Sequence, residues 1–500
     1  MNIDIRIASL LIILLPIAIA TGPFLPDLIA SILAIYYLFI TLKFKNYDFL
    51  KNKIIVILLI FSLYILLRSI FSDNILLSLE SSLFYSRFIF FSLAIAYIVK
   101  KNKNVLHLFS YSIIFSLLFV VLDAYFQIIF GRDIFGVSNP NVDGSLFING
   151  NFHGQLTGIF GDEQILGSYI ARMMPLAFAF AILLNKKIYI ALLIFLIIIS
   201  DVAIYLSGER SAFFLLIFTL ILIISLTQRW KKIRFFSFII SIILIFIISY
   251  FNSQSADRMF LKTLKQLGLE NLIFIKDYEN ETNNQKLLNN KIIEVTNECF
   301  VKDIQINKTL QPHQTRTDNE ILNDCKNIAK KEFEPKKTSI SDNIPQKDRI
   351  IIFSSHHENH YFSALKMFRE NFLFGIGPKL FRIKCSEEKY KPFENVKVED
   401  VCSTHPHNTY IQLLSETGII GFLLIFSLFI LICYKFFRQF INIIFFRKYL
   451  TSDIEICILV SLFIFLFPLI PTGSAFNNWL SVLHYMGLGF YFSLKGKQYV

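Results

Sequence analysis

Thr404-His405-Pro406-His407-Asn408-Thr409-Tyr410-Ile411-Gln412-Leu413-Leu414-Ser415-Glu416-Thr417-Gly418-Ile419-Ile420-Gly421 is the stretch that decides how the chain is read. A polar His-Pro-His-Asn turn runs without a break into a segment that is almost wholly apolar from Gly418 onward. Proline disfavours helix in the residue before it, so the spacing predicts a helix beginning at His407 or Asn408. At roughly 100° per residue, Gly418 and Gly421 then fall within about 40° of His407 on one face. Glycines on that face let a second helix or a lipid approach closely beneath the imidazole. A titratable group is thus expected at a membrane surface, above a close-packed seam.

Outward from this stretch, composition sets the class. Of 500 residues, 54% are hydrophobic, 55 are Phe and only 17% are charged, against about 25% charged in soluble chains. Apolar runs at 7–20, 28–42, 54–70, 83–99, 105–130, 164–184, 188–206, 212–226, 235–251, 418–434, 454–470 and 479–494 approach or reach bilayer-spanning length. The expected fold is therefore all-α and polytopic, with about twelve transmembrane helices and one large loop between the ninth and tenth. The first run is short enough to resemble a signal peptide, but it runs into the Pro-rich turn Gly22-Pro23-Phe24-Leu25-Pro26 and is expected to be retained.

The net charge of +12 does not point to nucleic acid, because most Lys and Arg sit in short loops between apolar runs. Lys43, Lys45, Lys51 and Lys53 fall on one side, with Lys100, Lys101, Lys103, Lys186, Lys187, Arg229, Lys231, Lys232 and Arg234. Lys435, Arg438, Arg447, Lys448, Lys495 and Lys497 complete that side, whereas Arg68, Arg87 and Arg210 fall toward the opposite one. The positive-inside rule puts both termini in the cytoplasm and the interval 252–404 outside. The expected organisation is a nine-helix membrane region at 1–251, an external loop at 252–417 and a three-helix region at 418–500. Within the loop, an insertion at about 277–347 is rich in Asn, Lys, Glu and Gln and is expected to bury little. Beyond it, Tyr361, Leu365, Phe368 and Phe372 recur at helical spacing and predict an amphipathic helix ended by Gly375-Ile376-Gly377-Pro378. Such a helix would lie on the membrane or cover the mouth of the bundle.

His407-Asn408, nine residues, then Gly418-x-x-Gly421 resembles the His-Asn-x9-Gly-x-x-Gly signature of the O-antigen ligase and polymerase superfamily. Phe374-Gly375-Ile376-Gly377-Pro378-Lys379-Leu380-Phe381 is similar to the segment that precedes the signature there. The resemblance implies a glycosyltransferase of the bacterial inner membrane, working at the periplasmic face on a polyprenyl-diphosphate-linked glycan donor. The acceptor would be lipid A core in a ligase and a second lipid-linked glycan in a polymerase. Membrane lipids are the other expected partners, and no cofactor, metal or nucleic acid is expected. A transporter of the same glycan would instead need charged residues or broken helices at the bilayer midplane.

In this scheme His407 removes a proton from the acceptor hydroxyl, and His405 is structural. His356, His357 and His360 open the amphipathic helix and are expected to solvate it. Arg210 and Arg87, with Arg68, would neutralise the diphosphate, because guanidinium grips phosphate through forked hydrogen bonds. Ser207-Gly208-Glu209-Arg210-Ser211 resembles the family's arginine site, although Phe214 stands where a described ligase version has Leu. Arg87 has a second reading, an ion pair with Glu80 seven residues earlier. Arg172, well within the sixth run, is a lesser candidate, and Asp162-Glu163 is expected to cap the helix it precedes. In an oxidising periplasm Cys385–Cys402 and Cys299–Cys325 are the natural disulfides; Cys433 and Cys457, within spans, are expected to stay thiols. Zinc, bound by the external cysteines beside the histidines, is the other reading, against which no Cys-x2-Cys pair occurs.

Overall fold

Asn and Ser residues stand at the starts of the apolar runs, and several helices begin there. Asn52, Asn74, Asn408, Ser452 and Asn477 each accept a backbone N–H from the first turn of the following helix, meeting donors that lack an intrahelical partner. The computed structural model describes residues 3–138, 155–184, 187–251, 253–261, 263–264, 299, 325, 355–392 and 398–495. Its first six main helices are α1 (Ile3–Ala20), α2 (Phe24–Phe44), α3 (Lys53–Ile70), α4 (Ile75–Ser82), α5 (Ser86–Lys101) and α6 (Asn104–Phe130). Four more follow: α7 (Leu166–Leu184), α8 (Lys187–Leu206), α9 (Arg210–Leu226) and α10 (Lys231–Phe251). The last four are α11 (Ser355–Glu370), α12 (Thr409–Phe446), α13 (Asp453–Phe465) and α14 (Asn478–Leu494). No strand forms among the described residues.

Nine helical stretches among these residues are long and apolar enough to cross a membrane, with α4 and α5 counted as one. The twelve expected from sequence take in three further apolar helices that are shorter: α9 and α14 with 17 residues each and α13 with 13. Outward-facing Phe39, Phe115, Phe246 and Phe437 are exposed, as suits a bundle solvated by lipid tails rather than water. Inside, α14 lies along α5 and α13 along α7. Phe109, Phe180 and Phe490 form a triangle, with ring centroids 4.4–4.7 Å apart, that joins α6, α7 and α14. Gly489 lets α14 approach α5, since a Cβ there would lie 2.7 Å from the Ser92 carbonyl oxygen.

Connections gather at two ends of the bundle. At the basic end, Asp453 accepts the N–H groups of Gln228 and Arg229, and Gln439 donates to Leu226. At the opposite end, Glu209 meets the start of α7 and Thr472 meets His407.

The predicted helix start is one or two residues early. Asn408 is extended (φ −148°, ψ 124°) and caps a helix that begins at Thr409, while His407 takes a left-handed conformation at φ 55°. The single face joining His407, Gly418 and Gly421 therefore does not exist. Gly418 itself breaks α12 with φ 65° and ψ −170°, a conformation that glycine adopts without the steric cost of a Cβ. A Cβ there would strike the Leu373 carbonyl. The turn after α11 docks into this break: Ile419 donates to Phe372, Ile376 to Ser415 and Gly377 to Glu416.

Contacts divide the chain into two compact units, residues 1–266 with 351–500, and residues 267–350. The second unit holds the Cys299–Cys325 disulfide, with Cα atoms 5.7 Å apart; the remainder of the Asn/Lys-rich insertion at 277–347 lies outside the described residues.

Candidate functional site

The site is built on the turn before α12. The His407 carbonyl accepts from Thr472 N–H at 2.9 Å and lies 3.5 Å from the Tyr361 hydroxyl. Its imidazole Nε2 meets Ser403 Oγ at 3.0 Å. A non-glycine residue at positive φ costs on the order of 1–3 kcal/mol, and such strain persists only where surroundings over-determine it. Asn408 supplies much of that constraint: Nδ2 donates to Pro468 and Ile470 at 2.8 and 3.1 Å, while Oδ1 caps α12.

Four imidazoles meet here. The His407 ring centroid lies 4.3 Å from His405, 5.2 Å from His357 and 5.4 Å from His360. His357 and His360 thus belong to the site, rather than merely solvating a surface helix. His405 Nε2 lies 3.2 Å from the Thr472 carbonyl, so this nitrogen carries the proton and Nδ1 accepts from Thr404. By the same logic His360 donates from Nδ1 to Val401. Burial pushes His405 down to about 4, and the neighbouring His407 adds to the effect. Burial lowers His407 as well, so its neutral, proton-accepting form is favoured. Among the described residues, no three His, Cys, Asp or Glu side chains are arranged to hold a metal ion.

The amphipathic helix forms as α11, but its deepest face is shifted from the expected stripe. His360, Ser363, Ala364 and Met367 are buried, whereas Tyr361, Leu365 and Phe368 are half-buried and Phe372 is exposed. Ala364 and Met367 pack with Leu380, Phe381 and Tyr390 into a small core closed by the Cys385–Cys402 disulfide, whose Cα atoms are 5.2 Å apart. That bond fixes the residue next to Ser403, and so bears on His407. Cys433 and Cys457 are free thiols.

The arginines differ in engagement. Arg68 turns Nε and both terminal nitrogens onto the carbonyls of Phe374, Gly375 and Phe71, holding the turn that docks on α12. Arg87 pairs with Asp27 at 2.9 Å, not with Glu80; Glu80 instead meets Lys379. The α4 break turns residue 80 away from residue 87, which one continuous helix would have aligned. Arg210 opens α9, half-buried. One turn on, Phe214 packs on Phe467 with centroids 5.8 Å apart, and Phe467 precedes the carbonyls that Asn408 holds. Phe214, on the helix that Arg210 opens, thus meets the segment whose Thr472 N–H holds the His407 carbonyl.

Sequence reasoning missed several members of the site. Glu209, not Asp162-Glu163, caps α7, accepting Gly167 and Ser168 N–H groups at 2.6 and 3.0 Å. Burial raises its pKa. Arg258 donates to Gly208 at 3.2 Å, and its pKa is lowered by burial and then by the charge of Arg210. Gln412 bridges Glu416, Ser474 and Ala475, and Glu416 accepts from Phe381 N–H. The signal for these last two was present: Asn408, Gln412 and Glu416 recur at a spacing of four across the cap and first turns of α12.

An all-helical membrane bundle with a strained histidine turn at one end, roofed by a docked amphipathic helix, is the class that fold and site define. Residues 355–426 match the O-antigen ligase family model, a segment that takes in α11, the disulfide, His407 and the α12 break. The match covers the segment that holds the site and supports a likeness to the O-antigen ligase superfamily. A search of curated proteins returned no match.

Proposed function

We propose that the protein is an O-antigen ligase-like glycosyltransferase acting at the periplasmic face of a bacterial inner membrane. Its donor is a polyprenyl-diphosphate-linked glycan and its acceptor a sugar hydroxyl of lipid A core. His407 acts as general base: its neutral imidazole takes the hydroxyl proton as that oxygen attacks the anomeric carbon and the diphosphate leaves. Arg210, with Arg258 beside it, meets the departing diphosphate charge. Arg68 and Arg87 would reach the donor only by giving up carbonyl and carboxylate contacts, and their place in the scheme is to hold the walls of the site.

The observation that carries this reading is His407 itself, held at positive φ inside the family-matched segment. The charge distribution along the chain supports an outward-facing site with both termini in the cytoplasm. The polymerase reading shares every residue and differs in acceptor. Purified protein in vesicles, given lipid-linked glycan with either lipid A core or a second lipid-linked unit, separates the two. A glycan attached to lipid A core supports the ligase; elongation of the lipid-linked chain assigns a polymerase; no transfer to either acceptor contradicts both.

A further inference from the structure

Helix α4 presents its serines inward. A helix facing water buries its apolar side chains and exposes its polar ones. Here Ser78, Ser81 and Ser82 are buried, while Ile75 and Leu76 are exposed, Leu76 by 80%. The serines meet other protein groups: Ser78 Oγ donates to the Pro378 carbonyl at 2.8 Å, and Ser69 and Ser82 share a hydrogen bond of 2.7 Å. The polar side of α4 is thus spent on α3 and on the turn after α11, and an apolar part is left facing out.

The turn after α11 has the same character. Phe372, Leu373 and Phe374 are consecutive and all exposed, as is Phe71 at the end of α3. Their backbones are held firmly: the Phe372 carbonyl accepts from Ile419, and Arg68 donates to the carbonyls of Phe374 and Phe71. Among the described residues, Phe71 and the 372–374 turn lie outside every helix long and apolar enough to span a membrane. Yet they continue the outward face of α3, on which Leu63, Leu67 and Ile70 are exposed at helical spacing. The Ile419 contact sets the turn at the level where α12 becomes apolar.

An exposed apolar patch of this kind marks an interaction surface. Asp73 and Glu80 interrupt it only as paired charges, with Lys384 and Lys379, which suits the level of lipid headgroups. We propose that the 372–374 turn, Phe71 and Leu76 form a foot inserted at the boundary between headgroups and acyl chains, in the leaflet nearest the His407 turn. Phe and Leu on an otherwise polar element are the side chains that such a boundary takes up. Continuity with the lipid-facing side of α3 favours lipid as the occupant over a second copy of the chain. The foot ties to the bilayer the roof whose helix α11 brings His357 and His360 to His407.

The test is photo-crosslinking of the full-length protein in phospholipid vesicles. p-Benzoylphenylalanine, which captures nearby C–H groups, replaces Phe71, Leu76 or Phe374 one at a time. Their side chains are exposed, so each change leaves the packing of the bundle alone. The same group at Glu388, exposed on the roof, gives the yield expected of a water-facing position, and at Leu63 it confirms that lipid is captured from a span. Lipid adducts, read by mass spectrometry, should form at each of the three positions with tenfold or more the Glu388 yield. A smaller excess at any correctly inserted variant overturns the proposal. Adducts to a second copy of the chain in place of lipid also overturn it, by assigning the patch to a contact between copies. Three separate positions keep the proposal falsifiable if one variant fails to insert. No glycan is moved in this experiment, so its outcome is independent of the transferase reading.

Discussion

Thr472 donates its backbone N–H to the carbonyl oxygen of His407 at 2.9 Å, joining the turn before α12 to the segment between α13 and α14. Asn408 adds two bonds to the same segment. His407 is thus held in left-handed geometry by a distant part of the chain, not by local preference.

Asn408→Ala should therefore be costly twice over. Loss of the cap amounts to about 1 kcal/mol, and two carbonyls lose their side-chain donor at roughly 1–3 kcal/mol each where no water replaces it. Thermal unfolding should shift to lower temperature, and transfer should slow as the turn relaxes. Asn408→Asp, which can still cap but cannot donate, should fall between. An unchanged melting temperature for Asn408→Ala would refute this account of the turn.

The histidines predict a pH dependence with a definite sign. His405 and His407 have folded-state pKa values below the ordinary histidine value of 6.5, His405 at about 4. Between those pH values the unfolded chain binds protons that the folded chain refuses, so stability falls as pH drops from about 6.5 toward about 4. Above 6.5 the contribution of the neutral rings is fully present. If His407 is the base, transfer also falls on acidification, with a midpoint below 6.5. A kcat/KM profile with its midpoint above that value contradicts the assignment.

Arg87 and Arg210 should separate on substitution. Arg87→Ala strips Asp27 of its cationic partner and should reduce the yield and stability of inserted protein. Arg210→Lys should fold normally, yet bind donor more weakly and turn over more slowly, because the charge remains while the forked contact is lost. Well-folded Arg87→Ala protein with a pure donor-binding defect would return Arg87 to the diphosphate site.

These two arginines also show where the sequence was legible. Helix existence followed from apolar runs, and the importance of the His407 turn followed from its motif and its junction with a span. The partners of charged groups did not follow, because they depend on which helices become neighbours. Arg87 finds Asp27, sixty positions away, where helical periodicity offered Glu80. Likewise, Gly418 read as a small residue for close packing, but it is a break, because the turn from α11 occupies the space a Cβ needs. Arg258 follows α10 without any local pattern and enters the site only through tertiary proximity to Arg210.

The Cys385–Cys402 bond closes a loop with a sequence separation of 17, which stabilises by about 3 kcal/mol in the chain-entropy model. Cys385→Ser should lower the melting temperature and, by loosening Ser403, reduce transfer as well. Peptide mapping without reductant checks the bond directly; two free thiols in protein exported to an oxidising compartment would rule it out.

Transfer by His407→Ala, measured beside donor binding in the same vesicles, tests the central claim most directly. The account predicts a fall of roughly 10²–10⁴-fold in transfer, the usual size of a general-base contribution, with correct insertion and donor affinity unchanged. A correctly inserted His407→Ala protein that transfers glycan at the wild-type rate would contradict it.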